Sequence, residues 1–233
     1  RHIPVQLITT EEEYLRGLRV GAIGGLTKPI NTKEPLDSTF QRIRHAIERS
    51  TRRVLLVHRE DTERTALTEA IAGPDVEIVP HPSGKDVAAL LREQPADLVI
   101  IDMDIHEPKA FDLVDEIKEE QGLHDLPLIL YSHRDLSRKE EIHVKRLTQS
   151  SVVKDVRSVE RLMDEVSLFL HRPMEKMPAE MRSRIEQLHS TAAILGGRKV
   201  LIVDDDIRNI FAMTSILEPH KMEIVSAETG KTA

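Results

Sequence analysis

Cysteine and tryptophan are absent from these 233 residues, and aromatic side chains make up only 3% of them. Without thiols there is no disulfide framework and no thiolate metal site, which fits a reducing compartment. No apolar run approaches the ~18 residues needed to span a bilayer. The amino terminus, Arg1-His2-Ile3-Pro4, has no charged-then-apolar leader. The expectation is a soluble, cytoplasmic chain, in a parent that could itself be membrane-attached, with both ends cut from something longer. Positive charge is in short supply: 33 Lys and Arg stand against 40 Asp and Glu, a net charge of −7. That argues against a nucleic-acid or anionic-membrane surface. No glycine-rich loop follows Val57 or Val203, so a pyrophosphate site is not expected there. Gly84-Lys85 and Gly230-Lys231 lack the upstream glycine of a P-loop.

What is present centres on Asp97 to Asp102, reading DLVIID. A short, continuous, β-branched run suits a parallel strand buried on both faces. Asp102 then lies at its carboxyl end, the edge where open α/β sheets bind ligands. There it is a candidate phosphoryl acceptor, or else simply an acid that caps the following loop.

Residues 51–172 supply five such strands alternating with five helices, with strands near Val54–Val57, Val76–Val79, Leu98–Ile101, Leu128–Tyr131 and Val152–Val153. This predicts an α/β fold: a doubly wound, five-stranded parallel sheet with helices on both faces and right-handed crossovers. Residues 1–50 read as strand–helix–strand–helix, half of such a domain. Residues 173–197 read as a linker with one polar helix from Ala179 to about Leu195. Residues 198–233 restart with Val200-Leu201-Ile202-Val203, a triple acid Asp204-Asp205-Asp206, a helix and a second strand.

The chain repeats itself. Val54 to Gly84 overlays Val200 to Gly230 without a gap, so that Val76-Glu77-Ile78-Val79 meets Met222-Glu223-Ile224-Val225. The first segment overlays the second half of the middle one: Thr9 meets Ser132 and Lys28 meets Lys154.

Phosphoryl transfer to a carboxylate needs a nucleophilic Asp, Mg²⁺ held by further carboxylates, a fixed cation facing the phosphoryl oxygens and a hydroxyl to bind them. The middle segment resembles the receiver domains of two-component response regulators over nearly all of residues 53–170. The whole string resembles tandem receivers from the C-terminal part of a hybrid sensor histidine kinase. The resemblance implies that Asp102 is the phosphoacceptor, Ser132 the hydroxyl and Lys154 the cation. It implies that Asp204 and Asp205, in VLIVDDD, are a metal-binding acidic pair for Mg²⁺, and that Thr9 and Lys28 are the hydroxyl and cation of the first segment. The implied partners are a histidine kinase or phosphotransfer domain and the neighbouring receivers. No kinase catalytic segment is recognisable. A dimer, or exchange of the two half-receivers, is one way to complete their cores.

The middle segment departs from that pattern at its metal site. The repeat places His58 and Arg59 where the third segment has Asp204 and Asp205. Arg cannot deprotonate or bind Mg²⁺. Asp155, not proline, follows Lys154. Two readings compete. In one the middle module is a pseudo-receiver, with Arg59 paired to Asp102. In the other Glu60 or Asp104 replaces the missing ligand and Asp102 is phosphorylated. A scaffold that transfers nothing, and a flavin- or nucleotide-binding module of the same fold, are the remaining classes. His58, His81, His106 and His133 fall near loop tips without metal-ligand spacing. His189 reads as solvated surface, and Glu11-Glu12-Glu13 as a helix start.

Overall fold

The computed structural model describes residues 3–177, 179–189, 195–218 and 222–230. Lys231, Ala192 and the 190–194 stretch of the expected linker helix lie outside the described residues, as do the side chains of Glu11, Glu12 and His189. The chain divides into two compact units, Arg1–Pro178 and Ala179–Ala233.

In the first unit, β1 (Gln6–Thr9), α1 (Glu11–Arg19), β2 (Gly24–Thr27) and α2 (Glu34–Glu48) precede β3 (Arg52–Val57), α3 (Asp61–Ile71), β4 (Val76–His81) and α4 (Val87–Glu93). Then come β5 (Leu98–Asp102), α5 (Ala110–Glu119), β6 (Leu128–Tyr131), α6 (Arg138–Ser150), β7 (Val153–Val156) and α7 (Val159–Phe169). A 3-10 turn, Met174–Lys176, follows. The sheet order is β4-β3-β5-β6-β7, every pair parallel. That is the 2-1-3-4-5 order of flavodoxin-like doubly wound domains.

Period-two alternation assigns the strand residues to two faces. Leu55, Val57, Val99, Ile101, Leu128, Leu130 and Val153 join a core with Val87 and Leu91 of α4, Leu113 and Ile117 of α5, and Val144 and Leu147 of α6. The intervening residues Val54, Leu56, Leu98, Ile100 and Ile129 are also buried, on the face where α3 and α7 pack together. Each residue of β5 is buried, as a central strand covered by helices on both sides requires.

The first segment docks at the amino-terminal edge of this sheet, away from Asp102. The Tyr14 hydroxyl donates to Asp125, and Arg19 Nε donates to the Ser151 carbonyl at 3.1 Å. Arg49 lies 3.3 Å from Asp97. Its own sheet is the parallel pair β1–β2.

The second unit contains α8 (Ala179–His189), β8 (Lys199–Val203), α9 (Ile207–Leu217) and β9 (Glu223–Ala227), with β8 parallel to β9. Its pairing repeats that of β3 and β4. Val54 pairs with Ile78, and Val200 with Ile224. Even the cross-strand ion pair recurs, as Arg53–Glu77 at 3.1 Å and Lys199–Glu223 at 2.8 Å.

Candidate functional site

β5 ends at Asp102, in register with Tyr131 at the end of β6. The two tips border a crevice of about 640 Å³ lined by His58, Arg59, Glu60, Glu63, Asp102, Asp104, His106 and His133. Asp102 Oδ1 accepts the backbone N–H of Asp104 at 2.9 Å. Its carboxyl is pushed above the usual carboxylate range, chiefly by burial, while the Asp104 N–H and His58 pull it back.

The buried His58 ring faces this carboxylate, with Nε2 3.8 Å from Asp102 Oδ2 and 3.1 Å from Glu63 Oε2. Nδ1 lies 3.2 Å from the Glu60 carbonyl. Both ring nitrogens thus lie near oxygen atoms. His133 Nε2 lies 3.5 Å from the same Glu63 oxygen, and its ring meets Tyr131 edge-on. Burial, with Glu63 as the next contributor, pushes the Tyr131 phenol up to about 12.

The sequence placed Arg59 against Asp102. The structure puts His58 there instead, and Arg59 lies on the crevice wall without an ion pair to Asp102. The reason is local. The residue directly after β3 points inward beside β5, and His58 N continues the ladder by donating to the His81 carbonyl at 3.0 Å.

Ser132 is buried one residue past β6. Its hydroxyl donates to the Arg134 carbonyl at 3.0 Å and accepts from Arg134 N at 3.2 Å. Lys154 is not brought to the crevice. β7 continues past it to Val156, and the register sets Lys154 opposite Ile129, two residues short of the tip pair Tyr131–Val156. Its ammonium lies 3.5 Å from Glu165 of α7. The apolar pattern of Val152-Val153 ends this strand at Lys154. The β-branched Val156, buried against the sheet, extends it.

The first segment differs. Thr9 pairs with Thr27 at the strand ends, and Lys28, one residue further, donates its N–H to the Thr9 carbonyl at 2.9 Å. In the second unit Asp204 N donates to the Ala227 carbonyl at 3.2 Å, the bond His58 makes to His81. Asp204 therefore occupies the His58 position of the repeat, with Asp205 following as Arg59 does. Asp204 Oδ1 accepts the Asp206 N–H at 2.8 Å, and Asp206 caps α9 by accepting from Arg208 N.

Mg²⁺ requires several free oxygen ligands. In the middle crevice Glu63 serves two histidines, and Glu60 Oε1 accepts from Thr62 at 3.0 Å. Asp104 is held by Arg134 Nε at 2.8 Å, while the other arm of Arg134 grips Glu140 at 2.7 Å. Those bonds draw the Glu140 carboxyl down to about 2. Among the described residues, Asp204 and Asp205 included, no group of three or more His, Asp or Glu is arranged to hold a metal ion. The acids of the middle crevice thus already have protein partners.

Sequence reasoning missed Glu63 and Arg134. Glu63 has a signal, an acid in the first turn of the helix that follows β3. Arg134 has none beyond its place next to the Ser132-His133 tip.

No protein-family model matches the chain, and no curated protein matches it. Solved structures do. The receiver domain of Francisella response regulator 1452 is 16% identical, covering 52% of this chain and 98% of that one at a TM-score of 0.44. The phosphorylated cyanobacterial phytochrome response regulator RcpA is 20% identical, with 50% and 89% covered and a TM-score of 0.42. The signal receiver domain of a signal transduction histidine kinase from Syntrophus aciditrophicus is 16% identical, with 52% and 90% covered and a TM-score of 0.45. The strand order and register above carry the fold assignment by themselves: the five-stranded module has the flavodoxin-like architecture of response-regulator receiver domains.

Proposed function

We propose that this chain is a phosphorelay segment of a hybrid sensor histidine kinase, and that its middle module is a pseudo-receiver. That module keeps the receiver fold and its Asp102 but does not carry out Mg²⁺-dependent phosphoryl acceptance. The observation that carries the reading is the His58 imidazole, 3.8 Å from Asp102 and in the position that the third segment gives to Asp204. An imidazole there stands in the place of a metal-binding carboxylate. Lys154, engaged by Glu165, and Asp104, engaged by Arg134, support the same reading. The strand–helix–strand repeat, matched in register through its tip residues, supports tandem receivers. The partners of such a segment would be neighbouring receivers and a histidine kinase or phosphotransfer domain.

One observation favours the competing reading, a competent receiver: Asp102 and Ser132 do sit at adjacent strand tips. Incubation of the chain with Mg²⁺ and radiolabelled acetyl phosphate, or with a phosphorylated kinase domain, separates the two. The pseudo-receiver should take up no stoichiometric label. Acid-stable, base-labile label that disappears in Asp102→Asn would overturn it.

A further inference from the structure

Lys118 stands in the last turn of α5 and is half-buried. Its Nζ donates to two carbonyls of the following loop, those of His124 at 2.9 Å and Leu126 at 2.5 Å. The loop returns the grip, with His124 Nδ1 against the Lys118 carbonyl. Both acceptors of the amine are neutral. Two carbonyls match the two N–H donors of an uncharged amine and leave its lone pair free. Burial pulls the Lys118 amine down to about 8, while the Asp125 carboxylate acts in the opposite direction.

The loop that Lys118 holds is also a joint. Between the two carbonyls lies Asp125, whose carboxylate accepts the Tyr14 hydroxyl of α1. That bond is one of those that dock the first segment on the sheet. Asp125 borders a cavity of about 170 Å³ lined by Arg42, Arg49 and Arg52. Cations that attract a phosphate-bearing donor therefore lie at the same end of the sheet.

We propose that Lys118 is an acyl-acceptor site, modified by an acyl phosphate, and that its acylation loosens the first segment from the five-stranded module. The amine lone pair attacks the acyl carbonyl carbon. A C–N bond forms, the C–O bond to phosphate breaks, phosphate leaves with the electron pair, and one amine proton passes to water. No oxidant or reductant is needed. The surface operates whether or not Asp102 ever accepts phosphate, because the attack falls on carbon and not on phosphorus.

The consequence for the joint follows from donor counting. The product amide keeps a single N–H, so it satisfies only one of the two carbonyls. The other loses its partner, and the stretch between them, with Asp125, is no longer pinned at both ends. An ordinary lysine near ~10.4 is almost wholly protonated at pH ~8 and has no lone pair to offer, whereas a desolvated amine does. A carbamate from carbon dioxide fits less well, because it would add a negative charge near Asp125.

The test incubates the full chain with acetyl phosphate isotopically labelled in its acetyl group, which keeps the signal apart from phosphoryl transfer to Asp102. Peptide mass spectrometry reads the initial rate at each lysine. At pH ~8 Lys118 should acetylate about tenfold faster than the exposed Lys139 and Lys145, with its half-maximal rate near pH 8. Amide hydrogen exchange in α1 should then rise by about fivefold or more. Lys118→Arg, treated identically, is acetylated at the other lysines alone and should keep its α1 exchange unchanged. The proposal is overturned if Lys118 reacts no faster than Lys139 and Lys145, or if its rate has no half-maximum near pH 8. It also falls if α1 exchanges alike before and after acetylation, or if the treated Lys118→Arg chain shows the same rise as the wild type.

Discussion

Leu55 and Leu201 hold the same position in two copies of one strand–helix–strand unit, yet the first is 2% exposed and the second 47%. Val57 and Val203 repeat the contrast at 0% and 45%. Pairing register and the cross-strand ion pair are alike in both copies. What differs is the far side. β3 has β5 along its second edge and helices on both faces, while β8 pairs, among the described residues, with β9 alone. Local sequence therefore fixes how each unit pairs, and non-local partners fix how much of it is buried. The tips differ too: His58 in one copy and Asp204 in the other donate the same backbone bond, but one presents an imidazole and the other a carboxylate.

The largest expected effect tests the burial contrast. Leu55→Ala should cost about 2–5 kcal/mol, the usual range for emptying a packed core site. Leu201→Ala should stay within about 0.5 kcal/mol, as exposed sites do. Urea unfolding of both variants measures the difference, and equal costs would remove the contrast.

The tips come next. His58→Asp/Arg59→Asp gives the middle copy the acids of the third. It should raise Mg²⁺ affinity at least tenfold, about 1.4 kcal/mol, by titration calorimetry. No gain would mean that this pair is not what keeps the ion out; adding Arg134→Ala, which frees Asp104, would then show whether the loop does.

A smaller effect concerns pH. Burial raises the Asp102 carboxyl above its unfolded value, so the fold favours its protonated form. That contribution is complete below the ordinary carboxylate range near ~3.9 and is lost as pH rises through the higher native value. Asp102→Asn should flatten the melting temperature across that window. Asp206, drawn downward by Arg208, has the opposite sign: its contribution is present above the ordinary range and fades as pH falls through the lowered value. Asp206→Asn should therefore leave the Asp102 window untouched. Thermal melts at closely spaced pH values check both, and an unflattened Asp102→Asn curve contradicts the assignment.

The smallest effect belongs to the repeated ion pair. Glu77→Gln and Glu223→Gln should each change stability by about 0.5 kcal/mol or less, shrinking further in salt. A cost above about 1 kcal/mol at either would mark a coupling that the exposed geometry does not account for.

Much of the fold was legible because buried parallel strands write themselves as continuous apolar runs. DLVIID, VLLV and LILY became β5, the buried part of β3, and β6. The repeat was legible because both copies keep the same spacing. The site was legible only in part. Asp102 and Ser132 were located because each follows an apolar run that ends where its strand ends. Lys154 was misplaced because Val152–Val153 looked like the whole strand, whereas the buried Val156 carries β7 two residues further and leaves the lysine opposite Ile129. His58 and Arg59 were both noticed, but which of them faces Asp102 depends on the direction of a turn, and composition does not encode that.

The chain's own letters were enough to determine the kind of module, its strand sequence, its repetition and the replacement of two acids by an imidazole and a guanidinium. These are local properties, carried by periodicity and spacing along the backbone. Tertiary structure alone decided that Glu63 and His133 line the crevice of Asp102, that Arg134 holds Asp104, that Lys154 turns to Glu165, and that Ile142 stands exposed. Each of those outcomes depends on segments far apart in the chain meeting at fixed register, where one residue of slip moves a side chain to the other face of the sheet.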